Sequence, residues 1–358
     1  MRVFIAHEDI YHAGNPYIFT LVESVLSRHN DVEFGWGWKE FWSDEIYMYD
    51  VVHFQWPQAY MAPCPKEQAA SMLERRIIEL RHHGVKIVAT CHDLKPHYSQ
   101  LADYAACISV VYSMADAIFH LGLYSKNLFE QEYPKTKHFY MPHHLYDELY
   151  TKRPTREESI QKLNLNPKKH YVLCFGSFRA DIERQLVISL AQYLGNDYAI
   201  LAPSFMQVRK HHRPVLRLIP TKSMIWQFMY EKKYRIIMSG KSWAPVDDDT
   251  LPYYYGASEF AFVQRVNILN SGNAVMPLLF NKVVVGPSVA NVGQFLMHYG
   301  MPTFDPQNQN SLFKAVEKGI EMTHSDQITG IFNEAFRSLS TSIVSEMLYE
   351  NYKIILER

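Results

Sequence analysis

The sequence is short of cysteine, of charge imbalance and of long apolar runs, and each shortage removes a class of protein. Its four cysteines, Cys64, Cys91, Cys107 and Cys174, stand far apart with no C-x-x-C pair. That spacing argues against a zinc knuckle or a disulfide scaffold and fits a reduced, cytoplasmic setting. The 36 Lys and Arg nearly cancel the 37 Asp and Glu, leaving a formal charge of -1. A protein built to grip the nucleic-acid backbone carries a large positive excess, so no nucleic-acid partner is expected. No apolar stretch approaches the ~18 residues of a membrane span. The opening MRVFIAHEDIYHAG meets His7, Glu8 and Asp9 too early for a signal-peptide core. Membrane contact is therefore expected to be peripheral at most. Only 15 Gly and 18 Pro occur in 358 residues, which excludes fibrous and low-complexity chains.

What is present is a packable chain, 47% apolar and 14% aromatic, too long for one small core. Arg2-Val3-Phe4-Ile5-Ala6 reads as a strand, followed by a helical YIFTLVESVL. VEFGWG, YDVVHFQWP, a helical stretch from Lys66 to His83, and Gly84 to Thr90 continue the alternation, with ADAIFHLG and KHFYMPHH as further strands. Apolar strands alternating with helices predict a parallel α/β sheet. A polar stretch from Leu145 to Lys169 interrupts the pattern, which then restarts at Tyr171-Val172-Leu173-Cys174 and continues through DYAILAPS, PVLRLIP, KYRIIMS, EFAFVQ and KVVVGPS. The reading is a Rossmann-like domain over 1–150, a linker over 151–169, and a second such domain over 170–335. A helical tail over 336–358 is expected to return to the first domain. Parallel sheets bind ligands at the carboxyl ends of their strands, so a cleft between two rows of strand-end loops is expected.

Asn270-Ser271-Gly272 follows an extended FAFVQRV and opens an apolar run, as a helix N-terminus does. Free backbone N–H groups and the positive end of the helix dipole favour an anion such as a diphosphate there. An ordinary cap would look the same on these residues alone. Arg179 stands at a strand end, where a guanidinium can bridge diphosphate oxygens; an ion-paired surface arginine is the alternative. Arg184 and Arg265 are second choices. The 17 histidines suggest metal only superficially. His7 and His12 are five apart, about 140° around a helix at 3.6 residues per turn, and the pairs His82-His83, His143-His144 and His211-His212 are adjacent. No metal site and no cofactor are expected. Glu74 to His83 mixes basic residues with an apolar stripe, which suits either an anionic membrane surface or an ordinary solvated helix face.

The stretch LPYYYGASEFAFVQRVNILNSGNAVMPLLFNKVVVGP resembles the donor region of GT-B nucleotide-sugar glycosyltransferases, in particular the large retaining family of bacterial polysaccharide assembly. GNPYIFTLVESVL, VVHFQWP, IVATCHDLKPH, MPHH and FGSFRADIE resemble that family's other motifs in the same order. The resemblance implies a GT-B fold and transfer of a hexosyl unit from a nucleoside-diphosphate sugar to a saccharide or lipid-linked saccharide acceptor, with retained configuration. The nucleotide sugar is then substrate rather than cofactor. It implies donor binding by Gly176, Ser177, Arg179, Ser239, Gly240, Lys241, Arg265, Asn270, Ser271 and Gly272, with catalytic roles for His92, Asp93 and Arg179. Asn15, His97 and His143 fall on the acceptor side. Two departures stand out. The family's glutamate pair around the donor helix is absent, with Pro277 and Leu278 in its place, and Ile182 replaces the phosphate-binding lysine. A nucleotide-sugar 2-epimerase on the same architecture, or a non-catalytic sugar-nucleotide binder, remains open.

Overall fold

The computed structural model describes residues 1–12, 14–96, 99–206, 220–238 and 246–357. The chain divides into two units, residues 1–149 with 337–358, and residues 150–336. The first is built on β1 (Arg2–Ala6), β2 (Glu33–Trp36), β3 (Val51–Phe54), β4 (Lys86–Cys91), β5 (Ala117–His120) and β6 (Lys137–Tyr140), in the order β2-β1-β3-β4-β5-β6. All neighbours are parallel, with Val3 opposite Val51, Val52 opposite Ile87 and Ala89 opposite Ile118. The wholly buried run Val51 to Phe54 is what a sheet covered on both faces requires. Its helices are α1 (Tyr17–Leu26), α2 (Trp38–Trp42), α3 (Pro57–Tyr60), α4 (Lys66–His82), α5 (Ala105–Met114) and α6 (Leu123–Glu132).

The apolar stripe of α4 is an ordinary core stripe: Ala69, Leu73, Ile77 and Leu80 are buried. Arg76 is buried with them, donating to the carbonyls of Phe41 (2.8 Å) and Ser43 (2.6 Å) and to the Tyr47 hydroxyl (2.7 Å). The membrane-facing reading of Glu74 to His83 is therefore corrected, because its apolar side already has a partner.

The second unit is built on β7 (His170–Leu173), β8 (Tyr198–Leu201), β9 (Ile236–Ile237), β10 (Phe260–Phe262), β11 (Val283–Pro287) and β12 (Thr303–Phe304), all parallel, in the order β12-β11-β10-β7-β8-β9. The chain builds outward from β7 to β9, returns to the centre, and builds the other way from β10 to β12. That reversal falls between β7 and β10, the position at which parallel sheets form a ligand crevice at the carboxyl ends of their strands. The helices that follow the first six are α7 (Arg156–Lys162), α8 (Asp181–Leu194), α9 (Lys222–Tyr234), α10 (Leu251–Ala257), α11 (Gly272–Leu279), α12 (Ala290–His298), α13 (Gln309–Thr323) and α14 (Ile328–Leu339).

The stretch expected as a linker, 151–169, is instead folded into the second unit. A reciprocal cap starts α7: Thr155 Oγ1 accepts from the Glu158 N–H (3.2 Å), and Glu158 Oε2 accepts from the Thr155 N–H (2.8 Å). Ser159 and Ile160 are buried where α7 packs on α10. Of the expected strand PVLRLIP, residues 214–219 lie outside the described residues, and KYRIIMS contributes only the two residues of β9.

The last helix, α15 (Thr341–Leu356), belongs to the first unit and lies along α1. Ser345 Oγ meets Ser24 Oγ at 2.8 Å, and the Tyr349 hydroxyl donates to Asp31 Oδ2 at 2.7 Å. Val344, Leu348, Tyr352 and Ile355 are buried. The Tyr352 hydroxyl reaches His53 Nδ1 at 2.6 Å, which gives the one polar side chain of β3 a partner.

Candidate functional site

In the second unit, β7 ends against a loop whose backbone is held from the far side of the crevice. The Phe175 carbonyl accepts from Asn273 Nδ2 (2.9 Å) and from Gln264 Nε2 (3.2 Å). Gln264 follows β10, and Asn273 is in the first turn of α11, so one carbonyl ties three elements together. Gly176 comes next with φ +91°, and a Cβ there would overlap Asn273 Nδ2. Glycine is therefore required twice, by backbone angle and by space. Arg265 Nε donates to the Ser177 carbonyl at 3.2 Å. The loop runs on to α8, whose Glu183 is buried and accepts from the Arg179 N–H at 2.6 Å and the Ala180 N–H at 3.4 Å. This is half of a capping box, since Ala180 has no acceptor side chain.

Helix α11 begins at Gly272 with Ser271 as its N-cap residue, and the Ser271 side chain makes no capping bond. Of the N–H groups in its first turn, that of Ala274 donates to the Ser271 carbonyl at 3.0 Å, while those of Gly272 and Asn273 come too early in the helix for an intrahelical carbonyl. Asn270, just before it, accepts from Asn291 Nδ2 (2.7 Å), a buried residue in the first turn of α12. The loops here thus bring together the N-terminus of α11, Arg265 and a glycine-opened backbone, features that favour a bound anion.

In the first unit the corresponding strand ends carry neutral, buried imidazoles. His92, after β4, donates from Nε2 to Gln55 Oε1 at 2.7 Å, which fixes its tautomer; its ring stacks on Trp56 with centroids 4.2 Å apart. Burial, aided by repulsion from His143 and His53, holds the His92 pKa well below the ordinary value. His143 donates from Nδ1 to the His144 carbonyl (2.9 Å) and accepts at Nε2 from the Tyr146 hydroxyl (3.3 Å). Burial lowers it to about 4, against that carbonyl bond. His53 is pushed down to about 3 by burial, and His144 well below its usual value by burial and by His143. Asn15 Oδ1 accepts from the Tyr17 N–H at 3.0 Å at the start of α1 and lies 3.5 Å from the Tyr146 hydroxyl oxygen. At neutral pH this group offers hydrogen bonds and no formal charge, which suits hydroxyl-bearing ligands better than anions.

No protein-family model and no curated protein matches the sequence. Solved structures do match over nearly the whole chain. Sucrose-phosphate synthase from Thermosynechococcus elongatus superposes with a TM-score of 0.71 at 13% identity, covering 99% of this chain and 98% of its own. HepE from Anabaena, solved with UDP and glucose, gives 0.65 at 13% identity and 99% of both chains. UDP-GlcNAc 2-epimerase from Methanocaldococcus jannaschii gives 0.55 at 12% identity, with 99% of this chain and 100% of its own covered. The fold is GT-B.

On this GT-B framework Gly176, Ser177, Arg179, Arg265, Asn270, Ser271 and Gly272 all lie on the loops that border the β7/β10 crevice. Asn15, His92, Asp93 and His143 lie at the carboxyl ends of the first sheet or the loop after β1. Ser239, Gly240, Lys241 and His97 fall outside the described residues. Arg184 is not a free cation for the crevice. It braces the loop, donating from Nε to the Phe205 carbonyl at 3.1 Å and from Nη1 to Asp181 at 3.3 Å. Asp93 is buried and accepts the Tyr112 hydroxyl on its carbonyl at 3.1 Å. Pro277 and Leu278 are buried in α11, so the absent carboxylates of the sequence pattern are replaced by core side chains. Sequence reasoning gave no role to Gln55, Gln264, Asn273 or Glu183. Gln55, Gln264 and Asn273 act on a ring or carbonyl that only the fold brings near, whereas Glu183 acts locally, on N–H groups three and four positions before it. Among the described residues, no three His, Cys, Asp or Glu side chains converge as a metal would need.

Proposed function

We propose that the chain is a glycosyltransferase that moves a hexosyl unit from a nucleoside-diphosphate sugar to a saccharide or lipid-linked saccharide hydroxyl, with retained anomeric configuration, in surface-polysaccharide assembly. The observation that carries the proposal is the β7/β10 crevice. Gly176, held by Asn273, places an open backbone loop beside the first turn of α11, with Arg179 and Arg265 as cations. As the glycosidic bond breaks, negative charge grows on the departing diphosphate, and fixed N–H dipoles and guanidinium groups stabilise that charge without reorganising. His92, neutral and oriented by Gln55, holds a sugar hydroxyl by hydrogen bonding rather than by charge. UDP in the HepE structure supports a nucleotide in a fold of this kind.

An epimerase reading draws support from the 2-epimerases that share the fold. The two part on the need for an acceptor. Incubating the protein with UDP-, GDP- and dTDP-sugars, with and without saccharide acceptors, and following products by NMR separates them. Release of nucleoside diphosphate that requires an acceptor supports transfer. An epimerised donor without acceptor supports the second reading, and binding without turnover refutes both.

A further inference from the structure

Helix α9 is turned the wrong way for a globular helix. None of its residues is fully buried. Ile225 is 49% exposed, Trp226 42%, Phe228 61% and Met229 47%. Lys222, Ile225, Trp226, Met229, Lys232 and Lys233 are all exposed and recur at spacings of three and four, so they share one face, with Phe228 beside it. The inward side is held by aromatic contact, Tyr230 edge-on to the buried Phe205 at 5.1 Å. The start is fixed by Thr221 Oγ1 accepting from the Met224 N–H at 3.3 Å. The outward apolar face is therefore presented by a capped, docked helix.

Its charges identify what it meets. The whole chain is balanced, with a net charge of -1, yet the apolar patch is bracketed by Lys222 at one end and by Lys232 and Lys233 at the other. None of the three lysines has a carboxylate partner among the described residues, and Lys232 and Lys233 lie over the Phe228 and Tyr234 rings at 5.8 and 5.0 Å. A second copy of the chain fits poorly, because a two-fold contact sets the same patch against itself and opposes like charges. A bilayer with anionic headgroups fits both features at once. Ile, Trp, Phe and Met enter the boundary between headgroups and acyl chains, while lysines stay at headgroup level. No helix among the described residues is long and apolar enough to cross a membrane, so contact through this helix lies on the surface.

We propose that the exposed face of α9, centred on Ile225, Trp226, Phe228 and Met229 and flanked by Lys222, Lys232 and Lys233, docks on an anionic lipid bilayer. The test is sedimentation of the full chain with vesicles of phosphatidylcholine alone or mixed with phosphatidylglycerol. The chain is expected to sediment with the mixed vesicles and to be released by salt. Trp226→Ser with Phe228→Ser, and separately Lys222→Glu with Lys232→Glu and Lys233→Glu, should each lower the partition coefficient by about tenfold or more. These side chains are exposed, so the melting temperature should hold. As a second measurement, brominated acyl chains should quench tryptophan fluorescence in the unaltered chain, and Trp226→Phe should remove that quenched part. Failure to sediment with mixed vesicles, equal binding by the variants, or quenching unchanged in Trp226→Phe overturns the proposal. So does a dimer that the Trp226/Phe228 variant dissolves while vesicle binding is absent.

Discussion

Gly176→Ala is the substitution on which the account of the crevice depends most. At φ +91° an alanine is strained, by about 1–2 kcal/mol. Its methyl group also overlaps Asn273 Nδ2, so the 2.9 Å bond to the Phe175 carbonyl must lengthen or break, at a further cost of about 1 kcal/mol. The sum, about 2–3 kcal/mol, corresponds to a drop of about 5–10 °C in the melting of a unit this size. Asn273→Ala alone forfeits only the hydrogen bond, about 1 kcal/mol. The two changes share that bond, so the double variant should fall short of the sum of the singles by about 1 kcal/mol. Urea unfolding of all four proteins measures this, and calorimetry with UDP and uridine measures the functional side. UDP binding should weaken in Gly176→Ala because the loop carrying Ser177 and Arg179 must shift, while uridine binding changes little. Wild-type stability in Gly176→Ala, or strictly additive losses, would refute the idea that this glycine is held against Asn273.

Gly272→Val places a branched side chain at the first position of α11 and should raise the UDP dissociation constant roughly tenfold, about 1.4 kcal/mol, without affecting uridine; undiminished UDP binding in folded protein moves the anion site elsewhere. His92→Ala should lower kcat far more than it weakens nucleoside-diphosphate binding, and equal losses in both would return His92 to a purely structural role. Acid should destabilise the fold. The pKa values of His53 and His143 lie near 3 and 4 in the native state, below the unfolded value of about 6.5. The unfolded chain therefore binds more protons, and stability is full above that value. It falls as pH drops toward the native pKa values, by about 1.4 kcal/mol per pH unit for each such histidine. Urea midpoints that agree at pH 5 and pH 7 would contradict neutral burial of these rings.

Both sheets were legible because their strands are buried on both faces, and runs such as Val51-Val52 and Val283-Val284-Val285 have few other uses. The start of α11 was legible because Asn-Ser-Gly before an apolar run is a local signal. Strand β12 was not: two residues carry no periodicity, and the pairing with β11 is all that defines it; β9 lay within the expected strand KYRIIMS but is only two residues long. Helix α7 was hidden by its polarity, although Thr155 and Glu158 stand at the spacing of a reciprocal cap. Arg76 looked solvated because nothing in its neighbourhood of sequence shows the carbonyls of Phe41 and Ser43. Asn273 carries its meaning only beside Gly176, nearly a hundred positions away, and such pairings follow from topology rather than composition.

The neutral histidines at the ends of the first sheet also set the proton inventory of whatever binds there. Burial holds His53, His92, His143 and His144 unprotonated in the physiological range, and the tautomers of His92, His143 and His144 are fixed by Gln55 Oε1, the His144 carbonyl and the Tyr17 carbonyl. A hydroxyl settling among them exchanges one hydrogen-bond partner for another and moves no proton to or from solvent. The heat of such a binding step is then the same in Tris as in phosphate, however different the ionisation enthalpies of the two buffers.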